Sequence, residues 1–402
     1  MPAVPQPRTS RNETALKRSE DRILTTHSGS LIRPQGLNDL GAAAQAGGQT
    51  EKDAYETALR DAVADVVRKQ AEAGIDVVDD GEYSKSSWGT YINQRVSGFK
   101  HDAERDMAIN YTGQDAERFG EFFESEAGGG VRMRWRGADV CVAPIEYTDK
   151  HSMQRDIEHL KAALNGVNVQ EAFLPVVAPA SAAFNGVNDY YSTDEEYVYA
   201  LAEALRNEYL AIYESGLLVQ VDDAVLANAY DDLMAKGPEV YRKWANTRIE
   251  ALNYALRGIP EERVRYHLCY GSWHAPHVSD APLEEIVDLI LRVAAAAYSI
   301  EAANVRHEHE WRVWEDAKLP AGKVLIPGVV THHTITVEHP RLVADRIIRY
   351  AGIVGRENVI AGTDCGFQQG ARIERVHPTV MWAKLRSLAE GARIASEELW
   401  AR

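Results

Sequence analysis

The 402-residue sequence is short of positive charge and of cysteine. It has 44 Lys and Arg against 60 Asp and Glu, which gives a formal net charge of −16 at pH 7. Proteins that hold phosphate backbones usually carry a basic face, so we expect neither nucleic acid nor an anionic membrane surface as a partner. An odd, sparse set of three cysteines is not a disulfide framework. We therefore predict a cytoplasmic, reducing location.

Long apolar runs are also absent. No stretch reaches the roughly 18 apolar residues that a membrane-spanning helix needs, and the first 20 residues lack the apolar segment of a secretory signal peptide. Those residues are polar and aperiodic, which predicts a mobile arm over residues 1–20 in front of a single domain over residues 21–402. A composition of 45% hydrophobic and 26% charged residues is typical of a globular protein with a large core.

From Arg22 onward, short runs rich in β-branched residues alternate with long amphipathic segments. Eight runs are predicted strands: Arg22–Thr26, Ile75–Asp79, Ala172–Ala178, Leu217–Asp222, Arg265–Cys269, Tyr298–Glu301, Val324–Val329 and Asn358–Thr363. Strands separated by helices pair in parallel, and eight such units close into an α/β fold of the (β/α)₈ TIM-barrel type. A doubly wound open sheet is the alternative. Residues 91–147 break the alternation and predict a hairpin inserted after the second strand.

In such a barrel the active site lies at the C-terminal ends of the strands. His267 and Cys269 are two residues apart on one predicted strand, so their side chains point to the same face. Glu301 ends the next strand and Cys365 follows the last one. One nitrogen, two sulfurs and one oxygen suit Zn²⁺ and would suit Ca²⁺ or Mg²⁺ badly, so these four residues are predicted zinc ligands. The alternative is that they are ordinary buried core residues.

Several motifs resemble the catalytic domain of cobalamin-independent methionine synthases. They are His-Leu-Cys-Tyr at 267–270, Ile300-Glu301, Thr-Asp-Cys-Gly at 363–366 and Thr-Thr-His-Ser-Gly-Ser at 25–30, and the resemblance extends over about residues 22–399. It implies a barrel in which zinc binds a substrate thiol and the thiolate accepts a methyl group. It also implies that the amino-acid end of the pocket is lined by Glu82, Asp222 and the turn of Ser28, Gly29 and Ser30.

A closer resemblance is to the short, single-barrel branch of that family, which includes epoxyalkane:coenzyme M transferase. The segments that carry this likeness are 304–311 and 359–367. Two departures concern the methyl donor. The family's third-strand Gly-Pro-Val-Thr is replaced by Val-Ala-Pro-Ala at 177–180, and His333, which falls on the family's proton-donating histidine, lacks the preceding acid.

Other candidate residues have more than one interpretation. Glu82 and Asp222 could act as a general acid/base pair, bind an ammonium group or cap helices. His307 could line the pocket or, with His309, hold a second metal ion. Trp311 could stack on the substrate or pack in the core. We predict catalytic roles for His333, Glu82 and Asp222, and substrate contacts for His307 and Trp311.

The sequence therefore predicts a zinc-dependent transferase that activates a small thiol for S-alkylation. Methyl transfer to homocysteine in methionine biosynthesis, from 5-methyltetrahydrofolate or another donor, is the leading hypothesis. The alternatives are an epoxide-opening thiol transferase or C–S lyase of the 2-hydroxypropyl-coenzyme M lyase type, and a metal-free decarboxylase resembling uroporphyrinogen decarboxylase. The partners are a small thiol and an alkyl donor, and a homo-oligomer is compatible with the sequence.

Overall fold

The computed structural model describes residues 16–106, 114–125, 136–370 and 375–401. Its strands are β1 (Leu24–Thr25), β2 (Val77–Val78), β3 (Phe99–Asp106), β4 (Arg136–Cys141), β5 (Glu171–Val177), β6 (Gly186–Asn188), β7 (Leu218–Asp223), β8 (Val264–Leu268), β9 (Ala297–Ile300), β10 (Val324–Val330) and β11 (Ile360–Thr363). Its α-helices are α1 (Leu37–Ala46), α2 (Gln49–Glu72), α3 (Asp115–Arg118), α4 (Gly120–Glu124), α5 (Lys150–Ala163), α6 (Pro179–Phe184), α7 (Asp194–Glu214), α8 (Val225–Asn228), α9 (Tyr230–Met234), α10 (Pro238–Ala255), α11 (Leu283–Ile290), α12 (Val313–Asp316), α13 (Pro340–Val354) and α14 (Pro378–Trp400).

Eight of these strands form one parallel sheet in the order β1-β11-β10-β9-β8-β7-β5-β2. Thr26, directly after β1, forms a parallel bridge with Val77 of β2, so the two ends of the sheet meet. Helices follow the strands along the chain, as right-handed crossovers require. The (β/α)₈ barrel predicted from the sequence is therefore confirmed, and the open sheet is excluded.

The barrel strands are apolar because they are buried on both faces. In β5 and β10 every residue except the partly exposed Glu171 is buried. Inward-facing side chains of several strands form a compact apolar cluster: Leu24, Val77, Phe173, Leu218, Ala297, Val324, Ile326 and Ile360. The helices pack around the outside, and α2 presents Leu59, Val63, Val66 and Val67 on one buried face. This filled interior leaves the C-terminal ends of the strands as the place where polar side chains converge.

The inserted hairpin is present. Strands β3 and β4 pair antiparallel, and β6 joins β4 in parallel to complete a small three-stranded sheet. The helices α3 and α4 lie between β3 and β4 in the chain. Strands β3 and β4 belong to the connection between β2 and β5, and β6 follows β5, so this sheet stands at the end of the barrel where the strands end.

Residues 1–15 of the predicted arm lie outside the described residues. Leu16 belongs to the inner apolar cluster, and the Ser19 hydroxyl donates a hydrogen bond to the Val359 carbonyl. The packed part of the chain thus begins by residue 16, a few residues before the boundary expected at residue 20. Within the ranges that the structure describes, no helix has both the length and the apolar character needed to cross a membrane.

Candidate active site

Three predicted metal ligands meet at the C-terminal ends of the strands. His267 lies in β8, Cys269 directly follows it, and Cys365 follows β11. One ligand atom from each of the three lies within 4.8 Å of the others, and the two Sγ atoms are 3.4 Å apart. All three side chains are buried. The barrel therefore brings Cys365 to His267 and Cys269, although it lies 96 residues after Cys269 in the chain.

The geometry of this group leaves a ligand atom available. His267 Nδ1 pairs with the Ser299 hydroxyl at 3.1 Å, whereas Nε2 is buried without a hydrogen-bond partner of good geometry among the described residues. The contact with Cys269 and the neighbouring His267 hold the pKa of Cys365 well below that of an ordinary thiol. The same contact raises the pKa of Cys269. One thiol of the pair is thus readily ionised, as metal ligation requires.

Glu301, the fourth predicted ligand, is held slightly apart. One carboxylate oxygen accepts a hydrogen bond from the Tyr270 N–H at 3.0 Å, and the other accepts one from the Asn304 amide at 2.8 Å. Glu301 is not a member of the compact group of three candidate ligands found in the described part of the chain. Its charge nevertheless acts on Cys269, where it helps to raise the pKa of the thiol. The carboxylate is therefore a neighbour of the group.

The predicted amino-acid end of the pocket is built from the first, second and fourth barrel strands. Ser28, Ser30, Glu82 and Asp222 all line one cavity, which is also lined by the three candidate metal ligands. Gly29 lies behind this wall with φ of 122°, and a Cβ there would be 2.7 Å from a Glu82 carboxylate oxygen. A glycine is thus required for the turn to approach Glu82.

Asp222 carries a perturbed carboxyl group. It accepts a hydrogen bond from the Gln220 amide at 2.9 Å, and burial raises its pKa to about 8. A cation in the cavity would favour the charged form of such a group. Asp222 and Glu82 therefore form a wall that suits a positively charged substrate group.

The shared cavity has a volume of about 570 Å³, within the range of small-molecule sites. Sequence reasoning missed most of the side chains that surround the predicted residues. They are Ser86, Ser87, Thr90, His101, Asp139, Asn185, Asn228, Ser272, Trp273, Gln369 and Arg375. Trp88 also lines the cavity, and it packs against Cys269, Cys365 and Ala224. No motif marks the others, because they come from loops, from short helical turns and from the hairpin.

His307 and Trp311 lie behind the cavity wall rather than in it. His307 Nδ1 pairs with Glu310 at 2.8 Å and Nε2 with Asp280 at 3.0 Å, which occupies both nitrogens and leaves neither for a second metal ion. Its ring stacks on Tyr270 with centroids 3.9 Å apart. Trp311 packs against the core and lies under the guanidinium groups of two arginines, Arg312 and Arg349. Both residues thus make packing and ion-pair contacts outside the cavity.

His333 is also outside the residues that line the cavity. Its ring packs against His332 and His277, with centroids 4.2 and 5.5 Å away. Burial and the charge of His277 lower the pKa of His333 to about 4. His332 is buried, and neither of its nitrogens has a hydrogen-bond partner within the described ranges.

Comparison with known proteins adds to this geometry. A family model described as "Cobalamin-independent synthase, Catalytic domain" matches residues 177–385, slightly more than half of the chain. A methionine synthase from Saccharolobus solfataricus is 26% identical over 382 residues, with 93% of this chain and 95% of that protein covered. A methionine synthase from Thermococcus kodakarensis is 23% identical over 380 residues, with 93% and 94% covered.

Among solved structures, a B12-independent methionine synthase from Shewanella sp. W3-18-1, in complex with selenomethionine, is similar with a TM-score of 0.71. The alignment covers 95% of this chain and 100% of that chain at 20% sequence identity. At this identity the likeness concerns the fold.

Proposed function

Because the chain belongs to the family of cobalamin-independent synthase catalytic domains, we propose that it is a zinc-dependent enzyme that methylates the thiol of homocysteine. The observation that carries this proposal is the buried group of His267, Cys269 and Cys365 at the end of a cavity with an acidic wall. The relatives named methionine synthase support the choice of substrate.

The residues present fit a zinc ion. Two thiols 3.4 Å apart and the unpartnered Nε2 of His267 form a nitrogen–sulfur set of the kind that Zn²⁺ prefers. Glu301 is the proposed fourth ligand, since its carboxylate is close enough to act electrostatically on Cys269. When bound, zinc supplies ionisation of a substrate thiol at neutral pH, which makes the sulfur a useful nucleophile.

The chain's own residues orient the substrate. We assign the ammonium group of homocysteine to Glu82 and Asp222, whose carboxyl groups face the cavity. The Ser28 and Ser30 turn lies beside them, and hydroxyl and backbone donors there suit the substrate carboxylate. Such contacts fix the sulfur relative to the methyl donor, and fixing two reactants accounts for a large part of the rate in transfer reactions.

The rest of the cavity leaves space for an alkyl donor. Trp88 and Arg375 line it together with the hairpin, beyond the two thiols. An apolar indole surface excludes water from the transfer, and the arginine can hold an anionic group of a donor. We place the reaction in the cytoplasm, where the thiols of the three free cysteines would stay reduced.

A thiol and donor panel tests the proposal. The purified chain is loaded with zinc and incubated with homocysteine, 2-mercaptoethanesulfonate or glutathione, and in each case with 5-methyltetrahydrofolate, methylcobalamin or a short epoxide. We expect one equivalent of bound zinc and formation of methionine, identified by mass. Stoichiometric zinc with alkylation of 2-mercaptoethanesulfonate by the epoxide would replace methyl transfer by epoxide opening. A chain that binds no zinc would contradict the proposal.

A further inference from the structure

A buried glutamine of β7 joins the two halves of the proposed amino-acid end. Gln220 is fully buried, and its amide nitrogen Nε2 donates to the Ser28 carbonyl at 2.7 Å and to an Asp222 carboxylate oxygen at 2.9 Å. Ser28 belongs to the turn assigned to the substrate carboxylate, and Asp222 belongs to the acidic pair assigned to the ammonium group. One amide nitrogen thus bonds to both halves of the site, and both of its hydrogens are used.

The spacing along β7 places this glutamine directly beneath the cavity. Side chains two residues apart on a strand face the same side, so Leu218, Gln220 and Asp222 share one face. Leu218 belongs to the apolar cluster inside the barrel, whereas Asp222 lines the cavity. Gln220 therefore forms the layer between the apolar interior and the cavity.

The orientation of the Gln220 amide is determined by its partners. Oε1 is buried without a hydrogen-bond partner among the described residues, whereas Nε2 has two acceptors. A flipped amide would place Oε1 against the Ser28 carbonyl and the Asp222 carboxylate, neither of which can donate a hydrogen bond to it. A buried acceptor without a partner costs free energy. The two bonds from Nε2 are therefore the interactions that a glutamine contributes here and that an apolar core residue could not.

Arg265 supports the same turn from the neighbouring strand. It is the register partner of Gln220 in β8, and it is buried. Its guanidinium donates to the His27 carbonyl and to the Thr26 hydroxyl, both at 3.1 Å. Two adjacent strands thus hold the consecutive carbonyls of His27 and Ser28, so the start of the turn is fixed relative to β7 and β8.

We propose that Gln220 is a positioning residue that fixes the spacing between the ammonium and carboxylate sites of the pocket. This role rests on the proposed function, in which the thiol substrate is homocysteine. Because both acceptors bond to one nitrogen, neither Asp222 nor the Ser28 turn can move away without breaking a hydrogen bond. A site held in its bound geometry loses less free energy on binding than a site that must first be ordered. Gln220 therefore favours thiols that carry both groups over thiols that carry one.

Thiol binding to the zinc-loaded chain, measured by isothermal titration calorimetry, tests this role without an alkyl donor. Homocysteine carries both groups, 4-mercaptobutyrate lacks the amino group, 3-mercaptopropylamine lacks the carboxylate, and 1-propanethiol lacks both. Gln220→Met keeps the length of the side chain but donates no hydrogen bond. We expect this variant to raise the Kd of homocysteine by about 10-fold or more, because hydrogen bonds that orient a charged group are lost. The two thiols with one charged group should show smaller increases, and 1-propanethiol none.

Leu218→Val is the matched control, since it changes the next residue on the same face of β7 within the apolar cluster. Its Kd for all of these thiols should match wild type, and the zinc content of both variants should stay unchanged. If Gln220→Met does not fold, Gln220→Glu takes its place. A carboxyl group has at most one hydrogen to donate and cannot bond to both oxygens, so we expect the same selective loss.

An equal increase in Kd for every thiol, or no increase for homocysteine, would overturn the role of Gln220 and leave the proposed function in place. An increase for only one of the two thiols with a single charged group would contradict the bridging role as well. A wild-type chain that binds homocysteine no more tightly than 1-propanethiol would overturn the amino-acid end of the pocket and this role with it. A zinc-loaded chain that binds none of these thiols would overturn the proposed function itself.

Discussion

The metal end of the cavity and the hairpin wall opposite it are held by different kinds of backbone contact. At the metal end, barrel hydrogen bonds extend past the strands, with the Cys269 N–H donating to the Asp223 carbonyl and the Asp364 N–H to the Val330 carbonyl. The hairpin instead pairs with itself and with the three-residue strand β6. The difference indicates that the candidate metal ligands stand on the barrel itself, whereas the hairpin wall is built on an insertion, where sequence and shape vary more readily.

Loss of a thiol at the metal end should have the largest effect. We expect Cys269→Ser and Cys365→Ser to reduce bound zinc well below one equivalent, measured by metal analysis of the purified protein. Activity should fall by more than about 100-fold, since even an outer-shell partner of a metal ligand typically contributes 10- to 100-fold. The barrel should stay folded by circular dichroism, because neither residue is part of the large apolar core.

Cys141→Ser is the matched control on the hairpin side. Cys141 is buried at the end of β4 and its thiol contacts the Ala143 carbonyl, a contact that a serine hydroxyl can keep. We expect this variant to retain zinc and activity. Equal zinc loss in all three serine variants would contradict the assignment of zinc binding to Cys269 and Cys365 alone.

Glu82→Gln should have an intermediate effect, restricted to the amino-acid end. A hydrogen bond to a charged group contributes about 1.5–3 kcal/mol, so KM for homocysteine should rise roughly 10- to 100-fold. The control substrate is 4-mercaptobutyrate, which lacks the amino group and should have the same KM with both proteins. Equal changes for the two thiols would show that Glu82 does not bind the ammonium group.

The smallest effect should come from a substitution of His307, which lies behind the cavity wall, and it should concern stability. Burial alone would lower the pKa of His307, but Asp280 and Glu310 outweigh it and raise the pKa to about 10. A histidine with a raised pKa stabilises the folded state through its protonated form. This stabilisation is complete below about pH 6.5, the ordinary pKa of histidine, and it is lost as pH rises through 10. We expect His307→Gln to melt below wild type at pH 7, with the difference narrowing toward pH 10. A constant difference would contradict this account.

The two ends also differ in how much of them the sequence predicted. The eight strands and the positions of His267, Cys269 and Cys365 follow from period-two spacing and from the rule that strands end at one face of a barrel. His101 and Asp139 were missed because cross-strand register in a hairpin cannot be read from the sequence around it. His307 was predicted to line the cavity, but its partners, Asp280 and Glu310, are recognisable only in three dimensions.

The central claim is that the metal end receives a substrate thiol. X-ray absorption at the zinc edge tests it most directly, on the zinc-loaded chain with and without homocysteine. We predict a shell of two sulfurs with nitrogen and oxygen in the free protein, and replacement of the oxygen scatterer by a third sulfur when homocysteine is added. A shell that homocysteine leaves unchanged would contradict the account.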